Sequence, residues 1–154
     1  LNFHEKTRKN VQYHYDLSND FYALFLDPTM TYSCAYFTSD NATLEQAQRN
    51  KYDHIARKIM LTTSDTLVDV GCGWGGMLLH CTDAHGIKGV GNTLSRNQFE
   101  YANKEIKQQA SISKKDSQNI QLFRRRLIFC RLRSSRYSRR RFRIFRCLLG
   151  RSVI

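Results

Sequence analysis

Residues 65–76, Asp65-Thr-Leu-Val-Asp-Val-Gly-Cys-Gly-Trp-Gly-Gly76, run a short apolar segment straight into a turn that holds four glycines. The β-branched and apolar residues from Thr66 to Val70 predict a strand. Glycine permits backbone angles closed to other residues and lets a ligand approach the main chain. A helix beginning just after such a turn offers unpaired N–H groups to polar ligand atoms. Gly71, Gly73 and Gly76 stand in the register of the G-x-G-x-x-G pattern, which holds nucleotide-type cofactors. This feature points to a parallel α/β architecture, with any ligand at the carboxyl ends of the strands.

The flanking sequence agrees. Thr43 followed by Gln46 predicts a helix N-terminus, and Ala47, Tyr52, Ile55, Ile59 and Met60 give an apolar face running to Leu61. Upstream, Asn19 to Leu26 predicts a short helix that Asp27-Pro28 must stop. Downstream, Gly76 to Ala84 predicts a helix ending at His85-Gly86, and Ile87 to Gly91 a second strand. Ser95 is the expected cap of a helix reaching about Gln109, with Phe99, Ala102 and Ile106 on one face. Strand, helix, strand, helix is the opening of a parallel sheet.

A nicotinamide-binding unit of this kind places an acid at the end of its second strand, to hold a ribose hydroxyl. Gly91-Asn92-Thr93 occupies that position without one. Another adenosyl ligand is therefore favoured, with Thr93, Leu94 and Gln98 near its ribose or adenine. Trp74 has two readings, a cover over the cofactor or ordinary packing.

Four stretches carry a family resemblance: His14-Tyr-Asp-Leu-Ser-Asn-Asp-Phe-Tyr22, Met30-Thr-Tyr-Ser-Cys-Ala-Tyr-Phe37, Asp69-Val-Gly-Cys-Gly-Trp-Gly-Gly76 and Thr93-Leu-Ser-Arg-Asn-Gln98. In this order they resemble the cyclopropane-fatty-acyl-phospholipid synthase family, which includes the mycolic acid cyclopropane synthases. The match covers about residues 13–109. It implies a Rossmann-like class I methyltransferase fold behind an N-terminal helical cap, stopping here after the first two βα units. It also implies S-adenosylmethionine as cofactor and methyl transfer to the cis double bond of a phospholipid acyl chain, followed by proton loss and ring closure. An alkene is a poor nucleophile, so such chemistry needs a sulfonium methyl held in line. The carbocation that follows needs a dry pocket, where aromatic faces stabilise it by about 1–2 kcal/mol.

By the same resemblance Tyr32 and Ser33, then Val68, Asp69, Val70, Gly71, Cys72, Gly73, Trp74 and Gly75, then Thr93, Leu94, Ser95 and Gln98, look like the S-adenosylmethionine contacts. Cys34 matches the cysteine beside the bicarbonate that the family uses as general base. The family's later Glu-His pair, and the His and Tyr around bicarbonate, have no counterpart in this sequence. Taken alone, His14 reads as a residue shaping the pocket, and Tyr13, Tyr15 and Phe21 read as core.

The formal charge of +12 is not spread evenly. Residues 1–110 hold 11 Lys+Arg against 12 Asp+Glu, whereas residues 111–154 hold 14 against 1. After Lys115 there is no lysine, after Asp116 no acid, and twelve arginines follow. The expected organisation is a helical cap over 1–61, the start of an S-adenosylmethionine-binding α/β domain over 62–110 and an arginine-rich tail over 111–154. Three readings of the tail stay open: a binder of nucleic acid or anionic lipid, a disordered extension, or a shifted reading frame. The joint loss of lysine, acids and periodicity favours the last, and with it a shortened chain of little or no activity. The alternative is an arginine-rich nucleic-acid or anionic-membrane binder on a degenerate scaffold.

Cys34, Cys72, Cys81, Cys130 and Cys147 show neither a CxxC pair nor paired Cys/His spacing, so neither zinc nor a disulfide framework is expected. A cytoplasmic protein is expected, meeting phospholipid from the inner membrane surface. No apolar run has spanning length, and Leu1 to Asn10 is polar rather than signal-like.

Overall fold

A computed structural model describes residues 18–113, 119–124 and 142–146, with 112, 113 and 142–146 described by backbone alone. Tyr13, His14, Tyr15 and most of the arginine-rich tail lie outside the described residues. The elements are α1 (Asn19–Ala23), α2 (Leu44–Lys58), β1 (Thr66–Val70), α3 (Gly76–His85), β2 (Lys88–Asn92), α4 (Arg96–Ser113), β3 (Ile120–Phe123) and β4 (Phe142–Arg146).

Local chemistry sets the helix ends. The Thr43 hydroxyl accepts from the Gln46 N–H while the Gln46 side chain accepts from the Thr43 N–H, closing the expected capping box. Gly86 ends α3 at φ 63°, the left-handed conformation that glycine adopts without penalty. The Ser95 hydroxyl accepts from the Gln98 N–H at the start of α4. The first helix is shorter than expected. Beyond Ala23 its pattern tightens, with the Leu24 and Phe25 N–H groups donating three residues back, so the segment to Leu26 is turn rather than α-helix.

All strand pairs are parallel, in the order β3-β2-β1-β4. Successive strands step to one side of β1 and the fourth pairs on its other side, which makes β1 the point where the winding reverses. Open α/β sheets bind ligands in the crevice at that point. The second strand sits one residue later than Ile87 to Gly91. The tail also departs from expectation: α4 continues to Ser113, and residues 120–123 and 142–146 add two strands where no structure was assigned.

Tyr52 and Ala56 of α2, Leu67 of β1, Met77, Leu78 and Cys81 of α3, with Cys72 and Ile87, form the main core. Ile55, Ile59, Leu61, Ile120 and Leu122 close its rim. Helices α2 and α3 thus cover one face of the sheet and fix the height of the turn between β1 and α3. Cys72 and Cys81 are buried as apolar residues while Cys34 is exposed. No helix among the described residues is long and apolar enough to cross a membrane.

Candidate cofactor site

The turn after β1 takes its shape from three left-handed glycines, Gly71 at φ 82°, Gly73 at φ 56° and Gly75 at φ 90°. Non-glycine residues reach this region at a cost of about 1–2 kcal/mol each, so the glycines make the turn affordable. Asn92, the last residue of β2, ties it down. Its carbonyl accepts from the N–H groups of Gly71 (3.1 Å) and Cys72 (2.9 Å), and its side-chain oxygen accepts from the Gly71 N–H at 3.1 Å. A Cβ built on Gly73 would meet nothing within 4 Å, so the crest of the loop stands open.

The second wall follows β2. The Thr93 hydroxyl donates to Gln98 Oε1 at 2.6 Å and accepts from the Ser95 N–H. Thr93, Ser95 and Gln98 are buried, while Leu94 is 40% exposed at the crest. The segment 93–98 is therefore a braced ledge presenting Leu94.

The leader forms the third wall. Trp74 is 2% exposed and its indole N–H donates to Asn19 Oδ1 at 2.8 Å. Its ring meets Tyr22 edge-on at 4.8 Å, and Tyr22 meets Tyr32 at 5.5 Å. Tyr22, Met30 and Trp74 make a small second core, joined by Leu26 and Tyr101. Of the two readings of Trp74, the structure supports packing: its side chain clasps α1 onto the glycine turn. Asp27 turns the chain back, accepting from the N–H groups of Thr29 (3.0 Å) and Thr31 (3.1 Å). Met30 follows at φ 54°, a conformation offset by burial of its side chain. Thr31 and Tyr52 then share a hydroxyl–hydroxyl contact beside Gly76, whose added Cβ would strike Tyr52 Oη, Thr29 O and Thr31 Oγ1.

Tyr32, Ser33 and Cys34 are exposed on the leader, Val68 is buried in the strand, and the glycine turn and 93–98 ledge stand at the strand ends. Bicarbonate finds one matched residue among those described, the exposed thiol of Cys34, which is not a donor set for an oxyanion. Three contributors escaped the sequence reading. Asn92 braces the turn, Asn19 anchors Trp74, and Gln48 holds the leader from α2. Only Asn92 carried a signal, as the residue standing where related folds place an acid.

Asp69 lies under the site. It is 2% exposed, and its Oδ1 meets no hydrogen-bond donor among the described residues. Burial pushes its carboxyl up to about 7, against a smaller downward pull from Lys51. The raised value means the folded state binds the proton more tightly than the unfolded chain. Stability from this group is thus greatest at low pH and declines as pH rises from about 4 towards 7. Urea unfolding should show this group making the protein about 2–3 kcal/mol less stable at pH 8 than at pH 5. In Asp69→Asn that contribution disappears, and an unchanged pH slope in the variant would contradict the assignment.

A parallel sheet with its reversal at β1, a left-handed glycine turn at that point and no acid after β2 defines a Rossmann-like domain of the adenosyl-cofactor class. The family model described as mycolic acid cyclopropane synthetase matches residues 3–125, and the chain belongs to that family. It is 52% identical over 92 residues to cyclopropane mycolic acid synthase 1 of Mycobacterium tuberculosis, covering 60% of this chain and 32% of that protein. It is 45% identical over 108 residues to a probable fatty acid methyltransferase of Pseudomonas putida, covering 70% of this chain and 27% of that one. The crystal structure of the mycolic acid cyclopropane synthase CmaA1 complexed with SAH and CTAB superposes with a TM-score of 0.68 at 41% identity, over 76% of this chain and 39% of that one. The fold is that of the class I methyltransferases. The chain spans about a third or less of the length of these two curated relatives.

Proposed function

We propose that this chain is the cofactor-binding part of an S-adenosylmethionine-dependent methyltransferase that forms cyclopropane rings on unsaturated acyl chains of membrane phospholipids. The observation that carries the reading is the packing of the leader onto the glycine turn through Trp74, Asn19 and Tyr22. That contact joins the leader, through Tyr22 and Tyr32, to the glycine turn, and on this reading Ser33 and the segment from Thr93 to Gln98 complete the site. The relatives named for fatty acid methylation and mycolic acid cyclopropanation support the reaction class, and the structure complexed with SAH supports the cofactor.

Bound S-adenosylmethionine would supply an electrophilic methyl group. The turn's main chain at Gly73 allows close approach of the ligand, and Leu94 offers an apolar surface for an adenine ring. Tyr32 and Ser33 offer hydroxyls from the leader. The aromatic residues suited to a cationic acyl chain, Phe25, Tyr32, Tyr36 and Phe37, are each more than 40% exposed. They do not by themselves exclude water, so the chain is expected to bind cofactor without closing rings.

Calorimetric titration with S-adenosylhomocysteine, alongside a methyl-transfer assay on vesicles of cis-unsaturated phospholipid, tests this. Saturable one-to-one binding with no cyclopropane product is expected. Absence of binding at millimolar ligand would defeat the proposal.

A further inference from the structure

We infer that Gln48, seconded by Lys51, is a positioning residue that sets the cofactor-facing conformation of the Tyr32–Ser33 segment; this rests on the S-adenosyl reading above. Between Met30 and Thr43 the chain has no helix or strand, and Tyr32 and Ser33 are both exposed. Neither regular hydrogen bonding nor burial of their own side chains fixes their shape. The Tyr32 ring rests against Tyr22 and Phe25 at 5.5 and 6.3 Å, and the backbone on either side of it is held from α2. Gln48 Nε2 donates to the carbonyl of Thr31 at 3.3 Å and to the carbonyl of Ser33 at 3.0 Å, bracketing Tyr32. Lys51 Nζ donates to Ser33 Oγ at 2.8 Å and to Gln48 Oε1 at 2.5 Å. One residue earlier in the helix, the Ala47 carbonyl accepts from the Tyr36 N–H at 3.0 Å.

Gln48 is 3% exposed, beside fully buried Ala47. A buried amide is costly unless its donors and acceptor are matched. Here the matching groups are the two carbonyls on either side of Tyr32 and the ammonium of Lys51. Lys51 is itself held over the Tyr52 ring at 5.2 Å, and Tyr52 contacts Thr31. The helix that covers the core face of the sheet therefore also dictates where the leader's hydroxyls stand relative to the glycine turn. Its Gln48 and Lys51 touch the leader, so on this inference their effect on binding passes through Ser33 and Tyr32.

Gln48→Glu keeps the shape and the acceptor facing Lys51 but deletes both donors and sets an oxygen against two carbonyls. In calorimetry of the full chain with S-adenosylhomocysteine, Gln48→Glu is expected to raise Kd on the order of 10- to 100-fold. Lys51→Met, which keeps the aliphatic stem but removes the ammonium matched to Gln48 Oε1, should raise it by several-fold and lower the urea midpoint modestly. Each effect should shrink on a Ser33→Ala background, because a residue acting through Ser33 is not additive with its loss. Wild-type affinity in both variants, with Gly73→Asp not binding, would overturn the inference while leaving the cofactor reading intact. Fully additive effects with Ser33→Ala would overturn it as well, by assigning α2 a general packing role. Failure of the unaltered chain to bind would defeat the cofactor reading itself, and this inference with it.

Discussion

Gly73→Asp is expected to abolish S-adenosylhomocysteine binding while the protein stays folded. The reasoning separates two effects that glycine substitutions usually mix. Gly73 has φ 56°, which aspartate adopts more readily than most residues, at a cost of about 1 kcal/mol. Its absent Cβ faces open space, with no protein atom within 4 Å, so the new side chain meets no steric obstacle in the free protein. On the proposed cofactor reading, the space it enters is where the ligand's polar end approaches the main chain of the turn. Urea unfolding should therefore show a midpoint near that of the unaltered chain, and calorimetry should show no heat of binding. Gly73→Ala should weaken binding to an intermediate degree. A Gly73→Asp protein that bound as tightly as the parent would place the ligand elsewhere.

The opposite outcome is expected for Gly91→Ala, which should lose stability rather than ligand contact. Gly91 sits in β2 opposite Asp69, on the face covered by α3. A Cβ there would stand 2.5 Å from Leu78 Cδ1, 2.9 Å from Cys72 Sγ and 3.0 Å from Leu122 Cδ2. These atoms close in from the helix, the glycine turn and the neighbouring strand, and Leu78 is fully buried, so no single side chain can swing away. Overpacking of this kind costs about 1–3 kcal/mol, and here the upper part of that range is expected. Gly89→Ala, two residues earlier on the same face, meets Leu78 Cδ2 at 3.2 Å and Ile120 Cγ1 at 3.4 Å and should cost clearly less. Urea midpoints of the two variants measure the difference. Equal midpoints would mean that α3 is not pressed against the sheet at Gly91.

What could be read in the sequence was what depends on short-range chemistry. Thr43 with Gln46, His85-Gly86 and Ser95 each announce a helix end through groups within four residues of each other, and all three caps form as expected. The glycine turn is equally local, since its left-handed angles need glycine whatever surrounds it. Contacts across the chain were not readable in that way. Nothing near Trp74 in sequence indicates that Asn19, 55 residues away, receives its indole N–H. Gln48 lies among polar neighbours in α2 and carries no local signal of burial, yet the leader folds over it and buries it. The strands at 120–123 and 142–146 were hidden for another reason. Ile120-Gln-Leu-Phe123 is too short to show a period, arginines interrupt the apolar residues of 142–146, and parallel pairing to β2 and β1 supplies what local pattern lacks.

Asn92 belongs between these cases. Its position at the end of β2 was noticed for the acid it lacks, and the structure gives it a different task, bracing the turn through both its carbonyl and its side chain. The absence of an acid and the presence of this brace are compatible with a ligand whose ribose is held by the 93–98 ledge.

Hydrogen–deuterium exchange of the full chain, with and without saturating S-adenosylhomocysteine, addresses the assembled three-walled site most directly. Protection should rise in peptides containing residues 31–34, 71–76 and 92–98 together, with the distal ends of α2 and α4 unchanged. Protection confined to other regions, or to the glycine turn with 31–34 unaffected, would contradict a leader that closes on the cofactor.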